Sequence, residues 1–460
     1  MADVKIGLET HLQLDTESKL FCSCRNEQDA EPNTLVCPTC LGHPGSKPEM
    51  NKEVLEQAFK VSKALDLEFN PVSEFARKTY FYPDMSKNYQ ITQYDRPVAE
   101  DGCFDIKIRD EKKKVRIKRL HIEEDPAKLV HEKNYSKTDY NRAGTPLLEI
   151  VTKPDLKSPE EARAYLQQLA HVLEYLQVYS PSSSYSIKSD ANISINGGER
   201  VEIKNITGTS AIEKALNYEL SRQKQLTKRK KEVTQHTRRY NPDMGSTVKM
   251  REKETEEDYG YIYDPDLTTQ NAVSSKNVEI PELPREKLQR FKTEYGLKTK
   301  IVESLISDPE LANAYEILVE KHDNRQTATL LTGDLKKVLN YNDISYTEAE
   351  LETKWLSQLL TMIEGNNITD RNAEKALREI VKSPQPITEI VDKLGLEKSE
   401  EDEVLQSVSN VIEEETNAVE DYLAGDEGAL NYLVGQVMQA TQGGADPKET
   451  REILIEELEQ

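Results

Sequence analysis

Cysteine is scarce here: the chain has five in 460 residues, and all five fall before residue 104. That distribution excludes a disulfide framework running through the molecule. No uninterrupted apolar run reaches the roughly 18 residues that a membrane-spanning helix needs. No charged-then-apolar leader opens the sequence either, so the expected location is the cytoplasm. There is no G-x-x-x-x-G-K-[ST] stretch, which argues against a P-loop. There is no G-x-S-x-G elbow, and no cysteine set beside His and Asp as a nucleophile would be. Internal repeats and low-complexity tracts are absent as well.

What is present is charge. Charged residues make up 31% of the chain, hydrophobic residues 36%, and the formal net charge is −22. Such an average repels nucleic acid, whose binding rests on local cation density. Basic clusters nevertheless stand out at "EKKKVRIKR" (Glu111–Arg119), at Lys228–Lys231 and at Arg238 with Arg239. The acid concentrates near the C-terminus in "EKSEEDEVLQSVSNVIEEETNAVEDYLAGDE", a pattern of solvated helix faces.

Four of the cysteines form two arms, "CSC" (Cys22, Cys24) and "CPTC" (Cys37, Cys40), with twelve residues between them. In a chain that is not exported, this spacing reads as a structural zinc knuckle of four thiolates. Unmetallated or redox-active thiols are the competing reading. Cys103 is left over and reads as an inert thiol.

Near the start, "GLETHLQL" alternates with period two. Val4, Ile6, Leu8, Leu12 and Leu14 share one face; Lys5, Glu9, His11 and Gln13 share the other. "KSPEEARAYLQQLAHVLEYLQV" reads as a helix with a Ser158/Glu161 capping box and Pro159 at its first position. "YSIKSDANISING" and "RVEIKN" read as two strands joined at Asn196-Gly197. They carry Lys188, Asp190, Asn192 and Ser194 on one face, and Glu202 and Lys204 on another. "NVEIPELPREK" reads as a linker, beyond which nearly everything has helical spacing. "TDRNAEKALREIVKS" begins at a Thr or Asp cap. "ALNYLVGQVMQATQGGADP" gives a helix ending at Gly443 or Gly444, with a fresh cap at Asp446. The expected fold class is α+β, a sheet-bearing domain over 1–285 followed by helical parts at 286–405 and 406–460.

Acidic and imidazole side chains recur at Glu9 and His11, at His121, Glu123, Glu124 and Asp125, at Glu149, and at Asp190. Carboxylates with one His suit Mg²⁺ or Mn²⁺, which most often serve nucleotide phosphates. Arg77, Lys78, Lys87, Lys128, Lys204, Arg251 and Lys253 are available to offset phosphate charge. Solvated acidic faces are the competing reading.

The stretch "TDYNRAGTPLLEIVTKPDLKSPEEARAYLQQL" closely resembles the GatB/GatE family, the B-type subunits of tRNA-dependent amidotransferases. "GLETHLQL", "FARKTYFYPDMSKNYQITQYDRP", "HIEEDPAK", "SDANISI", "VEIKN", "MREKETEEDYGYIYDPDL" and "ALNYLVGQVMQATQGGADP" agree in order. GatE carries a large inserted domain for which this chain has no room, so GatB is the better match.

The resemblance implies a cradle-like catalytic domain with a mixed or antiparallel sheet, a helical domain and a small YqeY-like tail. It implies an ATP-dependent ligase acting on Asp-tRNA(Asn), Glu-tRNA(Gln) or both. The side-chain carboxylate is phosphorylated, and ammonia then displaces the phosphate. The A subunit (GatA) supplies the ammonia from glutamine, and the C subunit (GatC) clamps the heterotrimer. The missing nucleophile fits that division of labour. Carried over by motif, Glu9, His11, Glu124 and Glu149 are the implied Mg²⁺ site and catalytic set. Lys78, Tyr80, Tyr82, Lys87, Asp190, Asn192, Glu202 and Lys204 are implied ATP or aminoacyl contacts, although the tyrosines also suit a pocket wall.

The chain departs from the family's pattern in four places. Lys188 stands where Arg is usual before "DAN". "ITGTSA" follows "EIKN". Gln442, Gly444 and Asp446 replace tail lysines. The cysteine knuckle, finally, occurs only in part of the family. A non-catalytic tRNA-binding scaffold, and a GatE-like subunit acting on Glu-tRNA(Gln), are the alternatives.

Overall fold

The computed structural model describes residues 3–27, 29–109, 111–181, 187–252, 260–271, 277–399 and 401–458. Contacts divide the chain into two compact units, Met1–Pro284 and Arg285–Gln460.

The first unit contains strands β1 (Val4–Gln13), β2 (Glu68–Phe69), β3 (Val72–Ser73), β4 (Ala76–Thr79), β5 (Tyr89–Thr92), β6 (Ala99–Ile108), β7 (Glu111–Glu124) and β8 (Lys128–His131). There follow β9 (Ser136–Asp139), β10 (Pro146–Thr152), β11 (Ile187–Ile195), β12 (Val201–Thr207), β13 (His236–Asn241), β14 (Ser246–Glu252), β15 (Gly260–Tyr263) and β16 (Gln270–Asn271). Its long helices are α1 (Lys52–Ala64), α2 (Pro159–Tyr175) and α3 (Thr209–Lys228).

Nine strands form one sheet in the order β14-β13-β12-β11-β1-β10-β7-β6-β2. The sheet is mixed, because β12 and β13 run parallel while β1 pairs antiparallel with both β10 and β11. The alternation of β1 is realised: Val4, Ile6, Leu8 and Leu12 are buried in the core with Leu148, Ile150, Ala191 and Ile193 from its neighbours. Val61 of α1, Tyr165 and Leu169 of α2, and Ile212 and Leu216 of α3 belong to the same cluster. The helices therefore cover the apolar face, and the opposite face carries the acids and imidazoles, of which His121, Glu123, Glu149, Asp190 and Glu202 are themselves buried.

Local signals account for several element ends. Ser158 Oγ accepts the Glu161 N–H and opens α2, with Pro159 in its first turn. Asn196 and Gly197 take φ of 51° and 71°, the left-handed pair that an Asn-Gly turn supplies at low cost. Far along the sheet, Glu219 of α3 is fully buried and bonded to Arg222, Gln223 and Arg238.

In the second unit Thr369, not Asp370, caps the helix Asp370–Lys382. The helix Glu427–Ala440 stops before the two glycines. Asp446 then accepts the Lys448 and Glu449 N–H groups at the start of Pro447–Leu458. Val404, Val408, Val411, Leu430, Leu433, Val437 and Leu454 make a cluster of their own.

Leu148 has no exposed surface in the middle of the sheet. Leu148→Ala is expected to cost ~2–5 kcal/mol in the urea-induced unfolding of the first unit. Lys112→Ala, on an exposed strand position, is expected to stay within about 0.5 kcal/mol.

Candidate functional site

Side chains of directly opposed residues in antiparallel strands lie on the same side of the sheet. Glu9 opposes Asp190, and His11 opposes Lys188 on β11 and Glu149 on β10. Glu149 in turn opposes His121 on β7, and Asn192 opposes Glu202 on β12. Five neighbouring strands thus deliver their acids and imidazoles to one face of the sheet. The pairing of β11 with β12 shifts register beside Asp190. Such irregularities re-aim side chains next to sites.

Two clusters result. In the first, His11 Nε2 lies 3.3 Å from Glu149 Oε2 and 3.7 Å from Glu123 Oε1. His121 Nε2 approaches the same two carboxylates at 3.3 and 3.7 Å. In the second, ligand atoms of Glu9, Asp190 and Glu202 lie within 4.8 Å of one another. Lys204 Nζ stands 3.5 Å from Asp190 and 3.4 Å from Glu202. Asn192 Nδ2 donates to Glu9 Oε1 at 2.9 Å.

The electrostatics follow from this crowding. Burial, followed by the charges of Glu149, Asp190 and Glu202, raises the Glu9 carboxyl above its ordinary 4.5. For His11, burial alone would lower the imidazolium. The hydrogen bond to Glu149 and the charges of Glu149, Glu123 and Asp190 outweigh it and push the group up to about 10. Burial opposes ionisation of Glu149 too, but His121 and His11 hold it well below 4.5. Lys204 would also be lowered by burial, and Asp190, Glu202 and Glu9 instead keep it charged above 10.5. An oxygen-rich set with one accessible imidazole suits a hard divalent cation. The raised carboxyl of Glu9 marks where added positive charge is most favourable.

Glu124 is placed differently from its neighbour Glu123. Successive residues of β7 point to opposite faces, so Glu123 joins His11 and Glu149 while Glu124 turns away. Its carboxylate accepts the Ile91 N–H at 2.9 Å and meets Lys87 Nζ at 2.5 Å. The structure therefore groups Glu123, rather than Glu124, with His11 and Glu149. His121 is the other member that motif matching left out. Counting by twos along "HIEE" from His121 reaches Glu123, and that was the available signal.

Lys78 lies on β4, opposite Tyr261 and Gln90. Tyr80 is driven above its ordinary 10.0 by burial, then by the charges of Asp84, Glu123, Asp125 and Glu124. Tyr82 is largely exposed. Lys128 is exposed on β8, and Arg77 is engaged by Asp264 and Asp266. The Arg251 side chain and Lys253 lie outside the described residues. Several members of the basic clusters are already paired: Arg238 with Glu219, Lys113 with Glu161, and Arg116 with Asp155.

The sulfurs of Cys22, Cys24, Cys37 and Cys40 all lie within 4.8 Å of one another. A tetrahedral zinc with Zn–S near 2.3 Å sets its sulfurs about 3.8 Å apart, so the set fits that ion. The Cys37 N–H points at Cys40 Sγ, 3.2 Å away. The hydrogen bond from Cys22, aided by that N–H and by Lys19, brings the Cys40 thiol down to about 5 against the penalty of burial.

In the second unit His322 joins Glu364 at 2.8 Å and Ser357 at 2.7 Å, in the order of a hydrolase triad. Ser357 lies inside the helix Thr353–Glu364 and meets the other ring nitrogen of His322. The arrangement is a tie between chain segments.

Residues 4–278 match the family model of the GatB/GatE catalytic domain, and residues 313–458 match that of the GatB domain. The chain belongs to the GatB/GatE family. Over 99% of its length it is similar to the B subunit of the aspartyl/glutamyl-tRNA(Asn/Gln) amidotransferase of Methanospirillum hungatei, with 45% identity over 467 residues and 98% of that protein covered. The protein of the same name from Methanoregula boonei is 43% identical over 479 residues, again with 99% and 98% covered. That of Haloquadratum walsbyi is 41% identical over 479 residues, with 99% and 97% covered.

The raised His11 group contributes stability that is full below its unfolded value of 6.5 and is lost as pH rises through about 10. Glu149, held low, contributes stability present above 4.5 and lost on acidification below that value. In ¹³C-histidine NMR of the metal-free protein, His11 is expected to titrate near pH 10. Glu149→Gln should return it toward its ordinary range.

Proposed function

We propose that this chain is the B subunit of an aminoacyl-tRNA amidotransferase, working with A and C subunits on Asp-tRNA(Asn), Glu-tRNA(Gln) or both. The observation that carries this reading is the paired cluster, His11–Glu123–Glu149 beside Glu9–Asp190–Glu202 with Lys204 against it. So many acids on one face repel a triphosphate unless a divalent cation intervenes.

The reaction proceeds in two steps. An oxygen of the substrate side-chain carboxylate attacks the γ-phosphorus of ATP, ADP leaves, and an acyl phosphate forms. Ammonia then attacks the acyl carbon, phosphate departs, and the amide loses a proton to solvent. Ammonia barely attacks a carboxylate but attacks an acyl phosphate readily, which fixes the order of the steps.

Bound Mg²⁺ would supply neutralisation of phosphate charge. Glu9, His11, Glu149 and Glu123 are the residues to hold it, with Glu124 engaged by Lys87 beside them. Asn192 fixes the Glu9 carboxylate through its amide. Lys204, held charged, is the cation available to a phosphate oxygen. Lys78, Tyr80 and Tyr82 border the approach. The ammonia comes from the A subunit, in keeping with the missing nucleophile. Cys22, Cys24, Cys37 and Cys40 hold a structural zinc. In this reading the second unit is a helical domain, 286–405, followed by a tail, 406–460; the apolar cluster that supports a tail starts at Val404, in the helix Glu401–Glu414 that crosses this boundary. A substrate pool of charged tRNA puts the work in the cytoplasm.

Reconstituted with its partner subunits, Glu149→Gln is expected to lower ATP-dependent amidation by about 10³-fold while tRNA affinity stays within about twofold. Unchanged amidation would remove the site assignment. Equal loss of tRNA binding would favour a scaffold instead. Because His11 must shed a proton to ligate a cation, Mn²⁺ affinity measured by calorimetry should rise about tenfold per pH unit between about pH 6 and pH 9. His11→Gln should flatten that slope.

A further inference from the structure

The cysteine loop reaches beyond its own four sulfurs. The Cys40 carbonyl accepts the Ser86 hydroxyl at 2.7 Å. Two residues on, Gly42 turns with φ of 69° directly against Lys87. A Cβ at Gly42 would stand 2.5 Å from Lys87 Cγ and 3.0 Å from both Lys87 Cα and Cβ. Both the backbone conformation and the space therefore demand glycine.

From the inner side Lys19, with no exposed surface, donates to the Leu35 and Tyr140 carbonyls at 2.8 and 3.3 Å and lies 3.9 Å from Cys40 Sγ. Its ammonium offsets thiolate charge and ties the loop to the body of the unit. Lys87 in turn ends on Glu124, and the two side chains are only 8% and 6% exposed. Gln90 Nε2 holds the Glu124 carbonyl at 2.8 Å, and Glu124 adjoins Glu123 of the His11 cluster in β7.

We infer that the tetrathiolate loop, closed on its zinc, is what sets Lys87 at the edge of the candidate site, with Gly42 and Ser86 as positioning residues. The Lys87–Glu124 pair is the element they position. Backbone, not a flexible side chain, presses on Lys87 from the loop, so opening the loop removes one wall of the channel that holds the lysine. The same opening withdraws the Cys40 carbonyl from Ser86, the residue next to Lys87. The inference rests on the zinc reading and extends the proposed function, but its first test needs no amidation.

That test is amine acylation of the full chain with a small N-hydroxysuccinimide ester, read peptide by peptide by mass spectrometry. In zinc-loaded protein Lys87 should be protected. Stripping zinc with a chelator should speed its labelling on the order of tenfold or more, as expected for local opening of a packed segment. Lys354, whose side chain is 67% exposed, is the internal reference and should change by less than about twofold.

Gly42→Ala is the second arm. It should keep its zinc by metal analysis and its circular dichroism, yet label at Lys87 as the stripped protein does. Ser86→Ala should fall between the two. Lys87 equally protected with and without zinc, or in Gly42→Ala, overturns the inference, as does purified protein whose four thiols hold no zinc. Protection that responds to zinc as expected, in a reconstituted complex that fails to amidate, would sink the proposed function and leave the positioning of Lys87 standing.

Discussion

Strand pairing on either side of β1 is the constraint on which the polar face depends. Five carboxylates and two imidazoles would not gather by attraction, since most of the acids repel one another. They are held together because Glu9 and His11 are locked in register with β10 and β11, and that register is fixed by the apolar residues on the opposite face. Burial of Ile6, Leu8 and Leu12 under the helices is the favourable term, and crowding of charge above them is the unfavourable one. The internal cations His11, His121 and Lys204 reduce the second without cancelling it.

The division of labour between the faces also sets the spacing of the site. Its side chains spring from the interior of strands, not from loops, so their spacing is that of the sheet itself. Loops enter only at the margin, where the β4–β5 region brings Lys87 and Tyr80 toward the end of β7. That margin is also where the cysteine loop packs, with Gly42 against Lys87 and the Cys40 carbonyl accepting the Ser86 hydroxyl.

Much of this was legible in the residues, and the limits have physical causes. Period-two alternation identified both faces of β1, and the Ser158 cap and Asn196-Gly197 turn marked their elements because those signals are local. The partners of β1 are not local: β10 and β11 lie far along the chain, so periodicity could orient Glu9 and His11 but not say what faces them. Motif resemblance supplied Glu149 and Asp190 yet singled out Glu124, since a motif records neighbours in sequence without recording which side of a strand each occupies. The basic clusters show the same limit: Arg238, Lys113 and Arg116 belong to them, and their acidic partners come from α3, α2 and the segment after β10.

The central place of the first strand also bears on how the chain is made. β1 precedes every other strand of its sheet, but its partner β11 is complete only about 180 residues later, a wait of roughly 10–40 s at ~5–20 residues per second. Until β10 is made, about 140 residues after β1, a strand rich in Ile and Leu has both edges bare, and one edge stays bare until β11 follows, the condition under which nascent chains associate with one another. The cysteine arms follow within the next few tens of residues, and their four sulfurs meet within 4.8 Å over a short span of chain, a local contact that needs none of the later strands.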